Sequence, residues 1–317
     1  MRKSVSLAAR FGLAAACLTY ALWGVDFHRL GQALAGFSVW AMLLYAVTVL
    51  ASALAPGLRL RFLAGDRISP AGGVRACLLG LGVNNVLPAR LGEMAKAAYL
   101  CREAGLSLGQ SLEAVFWERF FDLSALLVLG VAVAALLGQG LLLYPLLAIV
   151  GGGWVFLFLL RLRPAAAHAC LRLVPGQRLK LFAGEMLTLL EGRMRAGFLL
   201  RLAAWTALCW GGFLLTCALG LVFIGGLPAE PVLILTVFAV ITLGFALPAA
   251  PGGMGVYEAS AVLALGWFGV DREQAFALGL TLHMLQYIPI TLAGMGVLAS
   301  SGLSLAALRR RAETPGL

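Results

Sequence analysis

The chain has 317 residues, of which 62% are hydrophobic and 12% are charged, and its net charge is +10. Soluble domains carry about 25% charged residues, so this composition excludes an ordinary soluble protein and indicates an integral helical membrane protein. The positive charge is typical of the cytoplasmic loops of such proteins, and without a recognition motif no nucleic-acid partner is expected. The six cysteines form no CxxC pair, so neither a disulfide nor a metal site is expected.

Apolar runs, taken in chain order, predict about six full transmembrane helices of about 20 residues each. They cover residues 8–24, 37–58, 114–137, 141–160, 198–224 and 275–299. Arginines precede the first helix, follow the second at Arg59 and Arg61, and follow the last at 309–311. Because positive residues collect on cytoplasmic loops, we expect both termini in the cytoplasm. The chain is thus predicted to be an all-α polytopic protein of a bacterial-type cytoplasmic membrane, with residues 1–317 as a single membrane domain.

Residues 161–197 form a basic stretch between two predicted crossings, and we expect them in the cytoplasm. Apolar residues recur within this stretch every three or four positions, at Leu179, Phe182, Met186, Leu190 and Met194. This spacing is typical of an amphipathic helix that lies on the membrane surface. An ordinary positively charged loop is an equally compatible interpretation.

The most unusual feature is a polar interruption in the apolar stretch 76–98, ACLLGLGVNNVLPARLGEMAKAA. The apolar part before the interruption is too short to cross a membrane. Pro88 removes a backbone donor and disfavours helix in the residue before it, and Gly92 then begins a short amphipathic helix. We expect a re-entrant hairpin that opens to the cytoplasm, with residues 84–90 at a tip lined by protein or water.

A second interruption repeats this design in residues 237–265, VFAVITLGFALPAAPGGMGVYEASAVLAL. Both stretches contain Leu-Pro-Ala followed by glycine and then glutamate, and Pro248 and Pro251 break the second one. On the predicted topology the second hairpin opens to the outside, so the two motifs have the opposite orientations of inverted repeats. The alternative is that residues 231–249 and 252–270 are two short full crossings.

Ionisable groups inside a membrane cost about 2.5–3.5 kcal/mol each on insertion scales, so those that are kept need a reason. The crossing 114–137 contains the sequence FWERFFD, in which Glu118 and Asp122 share a helix face and Arg119 lies one turn from Asp122. One interpretation is an internal ion pair near the cytoplasmic end of the helix. The other is that Arg119 holds a phosphate that the carboxylates orient. A metal site is least favoured, because an arginine lies between the carboxylates.

The first hairpin carries a similar ambiguity in Arg90, Glu93 and Lys96. Glu93 lies three residues from both cations, so local neutralisation competes with ligand binding. Arg90 directly follows the proline break, at a helix N-terminus whose free amides favour anions, and we expect it to contact the substrate. Asn84 and Asn85 provide amides either for the broken backbone or for a headgroup, and the first role is favoured.

In the second motif, Gly252, Gly253 and Gly255 allow positive φ and leave backbone exposed just before a helix, which again suits an anion. Glu258 follows one turn later without an adjacent cation. A buried carboxylate needs a distant partner or a proton. The expected partner is Arg90 or Arg119.

Three polar side chains share one face of the last predicted crossing, namely His283, Gln286 and Tyr287. A lone histidine in a membrane helix is typical of a hydrogen-bonded packing residue, whereas one beside glutamine and tyrosine is also compatible with a pathway lining. The sequence contains no HExxH, nucleophile elbow or phosphate loop. We therefore expect neither an enzyme nor a bound cofactor.

The motifs NNVLPARLGE, FWERFFD and PGGMGVYE occur in this order and together resemble the lysylphosphatidylglycerol synthase transmembrane region, also called the flippase-like domain family. The resemblance covers essentially the whole chain. It implies a membrane region that translocates aminoacylated phosphatidylglycerol in the bifunctional synthases and is associated with hopanoids and polyprenyl-linked sugars in stand-alone members. By resemblance the candidate functional residues are Asn84, Asn85, Pro88, Arg90, Gly92, Glu93, Glu118, Arg119, Asp122, Gly252, Gly253, Gly255 and Glu258.

The synthases carry a soluble aminoacyl-transferase domain after this region, whereas the present chain ends six residues after Arg311, so no synthase activity is expected. We expect instead a flippase or transporter for a lipid with an anionic, aminoacylated or phosphate-bearing headgroup. The headgroup would enter a cavity between the two hairpins while the tails stay in lipid, and access would alternate without ATP hydrolysis. The alternative function is a membrane subunit that recruits or stabilises a soluble lipid-modifying enzyme through residues 161–197.

Overall fold

The computed structural model describes residues 2–87, 91–137, 144–174, 176–246 and 250–303. The predicted breaks at Pro88 and Pro248 and the predicted contact residue Arg90 lie outside these ranges. All regular structure in the described ranges is helical. The first seven helices are α1 (Arg2–Leu22), α2 (Phe27–Ala35), α3 (Val39–Ala51), α4 (Leu54–Leu63), α5 (Pro70–Val86), α6 (Gly92–Glu103) and α7 (Leu108–Leu137). The next seven are α8 (Tyr144–Leu162), α9 (Pro164–Ala169), α10 (Gln177–Arg193), α11 (Ala196–Leu219), α12 (Pro231–Ala246), α13 (Val256–Gly266) and α14 (Arg272–Ser300).

Four helical segments in the described part of the chain are long and apolar enough to cross a membrane. They are 39–63, formed by α3 and α4, 108–136 in α7, 196–224 in α11 with the π-helical turn that follows it, and 272–300, which is α14. Shorter apolar helices cover 12–22, 147–162 and 231–245. The protein is therefore a multi-pass helical membrane protein. The predicted crossings 37–58, 114–137, 198–224 and 275–299 are each confirmed as candidate spans.

Several helix ends differ from the prediction. The second span does not end at Leu58, because α4 continues to Leu63 and includes Arg59 and Arg61. The prediction that these two arginines lie in a loop is therefore wrong. The helix before the first break is also longer than expected, since α5 begins at Pro70. Arginines at the end of an apolar run satisfy the positive-inside rule equally well as loop residues or as the last helical turn.

The chain forms two compact units. Unit 1 comprises residues 1–54, 78–92 and those from 211 onward, and unit 2 comprises residues 55–77 and 93–210. In unit 1 the short helix α13 packs against α1, α12 and α14, and nearly all of its side chains are buried. Small residues make this packing close, as where Gly279 on α14 lies against Ala261 on α13. In unit 2, α7 packs against α8 and α10.

The basic stretch contains the helix α10, which includes Leu179, Phe182, Met186 and Leu190. Its last turn packs inward, since Leu190 and the following Met194 are buried, whereas Leu179 near its start is exposed. The end of α10 is also fixed by an ion pair in which Arg193 Nε lies 3.2 Å from Oε1 of the fully buried Glu113 on α7. Part of the apolar face of α10 is therefore used inside unit 2.

Candidate functional site

Unit 2 contains a group of charged side chains on three helices, which we name the ion cluster. Its members are Arg59 on α4, Glu93 and Lys96 on α6, and Glu118, Arg119 and Asp122 on α7. The FWERFFD motif supplies its centre, because Asp122 lies four positions from Glu118 and three from Arg119, the spacings at which side chains on a helix are neighbours. The predicted residues Glu93, Glu118, Arg119 and Asp122 are thus brought together in one place.

Arg59 makes the best-formed ion pair of the cluster. Its Nη1 and Nη2 atoms donate to the two carboxylate oxygens of Asp122 at 2.6 and 3.1 Å, and Nη1 also donates to Thr206 Oγ1 at 3.2 Å. Trp210 Nε1 donates to the same carboxylate at 3.2 Å. Such two-pronged contacts match the planar guanidinium to the carboxylate and fix both groups in orientation. Arg59 is only 2% exposed, so this pair is part of the interior of unit 2.

Glu118 lies at the centre of the cluster and accepts from two cations. Lys96 Nζ donates to Glu118 Oε1 at 2.8 Å, and Arg119 Nη2 donates to the same oxygen at 2.6 Å. Arg59 Nη2 lies 3.6 Å from that oxygen as well. Because Glu118 and Lys96 are both almost fully buried, each charge depends on the other for compensation.

One edge of the cluster is held much more loosely. The Arg119 side chain is 43% exposed, and its Nε lies 3.6 Å from Glu93 Oε1, which is beyond hydrogen-bond distance. Glu93 is likewise 3.6 Å from Lys96 Nζ. Within the described residues Arg119 Nε has no hydrogen-bond acceptor. With three cations and three carboxylates the cluster is neutral when all are ionised, yet the partly exposed Arg119 keeps a donor, the buried Nε, that no described residue accepts.

The aromatic residues of FWERFFD form the support on which these charges rest. Trp117 is fully buried and packs edge-on against Phe120 and against Phe198 of α11. Phe120 and Phe121 pack against Trp154 of α8. The motif therefore has two roles. Its aromatic rings pack α7 against the neighbouring helices of unit 2, and its charged groups form the ion cluster.

Sequence reasoning missed three members or partners of this site, namely Arg59, Thr206 and Trp210. Arg59 was missed because it follows an apolar run, and an arginine in that position is usually explained by the positive-inside rule. The available clue was the need for cations, since Glu118 and Asp122 in a transmembrane helix require more compensation than Arg119 alone provides. Thr206 and Trp210 gave no comparable signal.

Unit 1 contains a second polar arrangement around the glycine-rich turn, which we name the turn network. It consists of Asn85, Gly252, Gly255, Glu258, His283 and Tyr287. Gly252 and Gly255 have φ of 68° and 81°, the left-handed region that side chains other than glycine rarely adopt. Neither position has room for a Cβ atom, because Gly252 lies against the Tyr287 ring and Gly255 against the Ala14 carbonyl.

Glu258 and His283 form a buried pair in this network. His283 Nδ1 lies 2.7 Å from Glu258 Oε1, and the other carboxylate oxygen accepts from the Gly255 backbone N–H at 2.8 Å. His283 Nε2 lies 3.0 Å from the Gly252 carbonyl oxygen. The prediction that Glu258 pairs with Arg119 is therefore wrong, and Arg90 lies outside the described residues. The partner is His283 on the next helix, which the sequence had suggested as a packing residue or a pathway lining.

Tyr287 joins the turn to the end of α5. Its hydroxyl donates to the Asn85 carbonyl at 3.2 Å, and Asn85 Nδ2 donates back to Thr291 Oγ1 on α14 at 2.8 Å. The neighbouring Asn84 accepts from the Gly92 N–H at 2.7 Å, so it caps the start of α6. The structure thus places both asparagines in backbone-supporting positions. The two interrupted motifs also share one helix in unit 1, because α14 contacts the residues beside each break.

Both helices that follow the breaks have an N-terminal amide satisfied from within the chain. Asn84 accepts from the Gly92 N–H, and Glu258 accepts from the Gly255 N–H. Gly253 is buried, and its N–H donates to the Ala250 carbonyl at 3.0 Å. These amides are therefore not free for an anion in this conformation, although the sequence pattern suits one.

A family model described as the lysylphosphatidylglycerol synthase TM region matches residues 7–294. The chain belongs to this family. The comparisons with curated proteins and with solved structures give no match. Membership in the lysylphosphatidylglycerol synthase TM region family makes this a membrane domain associated with lipid modification or flipping. The matched range includes the motifs NNVLPARLGE, FWERFFD and PGGMGVYE. It also includes every member of the ion cluster and of the turn network.

Proposed function

We propose that this protein is a lipid flippase or transporter that moves a lipid with an anionic, aminoacylated or phosphate-bearing headgroup across the membrane, without modifying it chemically. The observation that carries the proposal is the loosely held, exposed edge of the ion cluster at Arg119 and Glu93. Membership in a family associated with lipid modification or flipping supports the choice of a lipid as substrate.

An exposed arginine in a transmembrane helix is costly unless it meets water or an anion. Arg119 lies within the candidate span 108–136, and its side chain is 43% exposed. A headgroup phosphate would accept hydrogen bonds from the Arg119 donors that Glu118 leaves unused, and charge-assisted bonds of this kind are the strong ones. The rest of the cluster would stay intact, because Arg59 and Lys96 are almost fully buried and donate to Asp122 and Glu118 at 2.6 and 2.8 Å.

The neutrality of the cluster also fits transport better than permanent capture. A headgroup that binds only to the exposed side of Arg119 is held weakly enough to be released. Three cations without carboxylate partners would instead hold a phosphate tightly. The two cluster carboxylates on α7, Glu118 and Asp122, are already paired with Arg59, Lys96 and Arg119, which leaves them poorly suited to a metal-dependent reaction.

The alternative function, recruitment of a soluble enzyme through residues 161–197, has less support from the geometry. Leu190 is buried inside unit 2, and Arg193 is engaged by Glu113 and stacks on the Phe198 ring at 5.2 Å. The end of α10 is therefore occupied, and a partner would have only its exposed first half.

The test is lipid movement in proteoliposomes with fluorescent phosphatidylglycerol, lysyl-phosphatidylglycerol, a polyprenyl phosphate and neutral phosphatidylcholine. Arg119→Gln should lower the initial rate for one of the anionic or aminoacylated classes by at least about tenfold, since a hydrogen bond to a charged group contributes about 1.5–3 kcal/mol. Arg119→Lys should restore part of the rate, because it keeps the charge but loses the planar fork.

The matched control is Arg61→Gln, on the same helix as Arg59 but paired, among the residues that the structure describes, with the exposed Asp66 alone. It should move lipid as the unaltered protein does. Equal rates in Arg119→Gln and Arg61→Gln would remove the ion cluster from the transport path. Failure of every lipid class to move, with and without imposed ion gradients, would contradict the flippase and favour the recruiting subunit.

A further inference from the structure

The pair Glu258–His283 is unusual because each residue is isolated from other charges along its own helix. Glu258 is the only acidic or basic residue in α13, and His283 is the only one in α14 after Glu273. They are 3% and 2% exposed. Ionisable groups buried in a membrane protein are expensive to keep, and pairs of them commonly serve proton or ion movement.

The hydrogen-bond geometry fixes how many protons the pair holds. A backbone carbonyl can only accept, so the 3.0 Å contact with Gly252 requires a hydrogen on His283 Nε2. The 2.7 Å contact between His283 Nδ1 and Glu258 Oε1 requires one more hydrogen between those atoms. That hydrogen lies either on the imidazole, beside a carboxylate, or on the carboxylic acid, beside a neutral imidazole. In both forms the pair is neutral overall and carries one shared proton.

Loss of the shared proton cannot be accommodated without breaking one of these contacts. If Nε2 keeps its hydrogen, the lone pair of Nδ1 faces the Glu258 carboxylate at 2.7 Å and the two repel. If the remaining hydrogen moves to Nδ1, the lone pair of Nε2 faces the Gly252 carbonyl instead. Deprotonation therefore releases α14 either from Glu258 or from the glycine turn, and it leaves one negative charge in the interior of unit 1.

The turn network carries this change to the residues beside the first break. Gly252 lies directly against the Tyr287 ring, and Tyr287 donates to the Asn85 carbonyl. A rotation of His283 away from Gly252 frees the turn on the same side of α14 that holds the end of α5. One proton thus governs contacts at both interrupted motifs within unit 1.

The side chains described around the pair are aromatic rings and a thiol. Tyr257 stacks flat on the His283 ring at 4.4 Å, and Tyr287 lies edge-on at 6.0 Å. Tyr45 of α3 and Cys217 of α11 lie beside Tyr257. Helices α3 and α12 carry no acidic or basic residue, and neither does α1 between residues 12 and 22. A change of charge at the Glu258–His283 pair therefore comes from gain or loss of the shared proton.

We infer that Glu258 and His283 form a single-proton site, and that binding and release of this proton couples the glycine turn to lipid movement. The coupled movement rests on the proposed function, whereas the proton site itself does not. In the binding step a proton from water bonds to His283 Nδ1 or to Glu258 Oε1, and in the release step the same bond breaks and the proton returns to water. No other reactant is needed.

Glu258→Gln is the informative variant, because glutamine imitates the protonated acid. Its carbonyl can accept from Gly255, and its amide can donate to Nδ1 of a neutral His283, so both contacts survive without a removable proton. The matched control is Glu230→Gln, which removes an exposed carboxylate of the same unit. A third variant, His283→Gln, serves to assign the His283 NMR signals among those of the three histidines of the chain.

The proton site is tested by nitrogen NMR of histidine-labelled full-length protein across a pH series. We expect His283 Nε2 to be protonated in the form that holds the shared proton, and the imidazole nitrogen signals to change as this proton is lost with rising pH. We expect Glu258→Gln to hold Nδ1 as an acceptor throughout. The inference is overturned if Nε2 is unprotonated in the proton-bound form at low pH, or if the Nδ1 signal behaves identically in Glu258→Gln and Glu230→Gln. This result does not depend on lipid movement.

Coupling is tested in proteoliposomes that contain a trapped pH dye and a labelled lipid. The measured quantity is the ratio of the lipid rate with an imposed proton gradient to the rate without one. We expect this ratio to differ from 1 in the unaltered protein and in Glu230→Gln, and to equal 1 in Glu258→Gln. Lipid movement with a ratio of 1 in every protein would overturn the coupling and leave the flippase standing. A working proton site without any lipid movement would instead overturn the proposed function.

Discussion

At the scale of single residues, the ion cluster is a place where each charge is tolerated only because of its neighbours. Arg59, Glu118 and Lys96 are almost fully buried, and taking such groups from water costs several kcal/mol per ion. The cost is recovered through short hydrogen bonds, of which the two between Arg59 and Asp122 are the clearest. Removing one partner therefore does more harm than removing a complete pair.

This asymmetry gives a stability prediction. Arg59→Met should lower the free energy of unfolding by about 3–5 kcal/mol, because it leaves the Asp122 carboxylate buried without its main partner. The double variant Arg59→Met with Asp122→Leu should regain part of that loss, since the remaining four charges still balance. The measurement is denaturant unfolding in detergent.

The control for this series is Arg61→Met. Its partner Asp66 is exposed, and exposed ion pairs contribute about 0–1 kcal/mol. A loss in Arg59→Met no larger than that in Arg61→Met would show that the buried pair is not what holds α4 to α7.

Residue chemistry could be predicted from the sequence only in part. The motif pattern singled out Glu118, Arg119 and Asp122 because charges inside an apolar helix are conspicuous. Pairing was harder to predict, because Glu258 lies 25 positions from His283 and nothing local connects them. The usable signal was that Glu258 and His283 are each the single acidic or basic group in a long uncharged stretch of helix. Ionisable groups inside a membrane usually pair with one another.

At the scale of helices, close packing depends on where glycine replaces a side chain. Gly82 on α5 and Gly294 on α14 face each other, and a Cβ at Gly294 would meet the Leu78 carbonyl and the Gly82 backbone. Small residues at helix contacts allow membrane helices to approach closely. This contact holds α14 against the end of α5, where Asn85 meets Tyr287.

The same helix offers a matched pair of substitutions. Gly294→Ala should destabilise the protein by about 1–3 kcal/mol, the usual cost of overpacking. Gly296→Ala should be neutral or stabilising by up to about 1 kcal/mol, because no described residue lies within 4 Å of the added atom and alanine is the better helix former. Thermal unfolding of both variants measures the difference, and equal stabilities would refute a close α5–α14 contact.

Helix existence was predictable, but helix ends were less so. The apolar length of α7, α11 and α14 identified them directly. The start of α5 at Pro70 could not be read from hydropathy, because its first turns carry glycine and Arg75 and are packed by neighbours rather than by lipid. Likewise Glu113 lies inside α7 because Arg193 compensates it, and that partner is distant in sequence.

At the scale of the whole molecule, helix length bears on how the second motif meets the membrane. At 1.5 Å per residue, the 11 residues of α13 span only about 17 Å, far less than the hydrocarbon core of about 30 Å. α12 has 16 residues and spans about 24 Å. These lengths favour a re-entrant hairpin over two full crossings.

Cysteine labelling in a background without the natural cysteines tests this arrangement. An impermeant maleimide should reach Ala229→Cys and Asp271→Cys from outside and Glu103→Cys only from the cytoplasmic side. Ala250→Cys, at the glycine turn, should be protected from both sides. Labelling of Ala250→Cys from the cytoplasmic side, in inverted vesicles, would show that residues 231–249 and 252–270 cross the membrane fully.

The ion cluster has a consequence for how the chain is made. Its six charged members all lie between Arg59 and Asp122, so they leave the ribosome within one continuous stretch of synthesis. Arg59 and Lys96 emerge before the carboxylates of α7, and Arg119 emerges with them. Chains enter the membrane from the N-terminal side first, so Glu118 and Asp122 arrive where their compensating cations are already present. The arrangement spares the insertion machinery an unpaired charge at these two positions, and the later helix α11 only completes the cluster with Thr206 and Trp210.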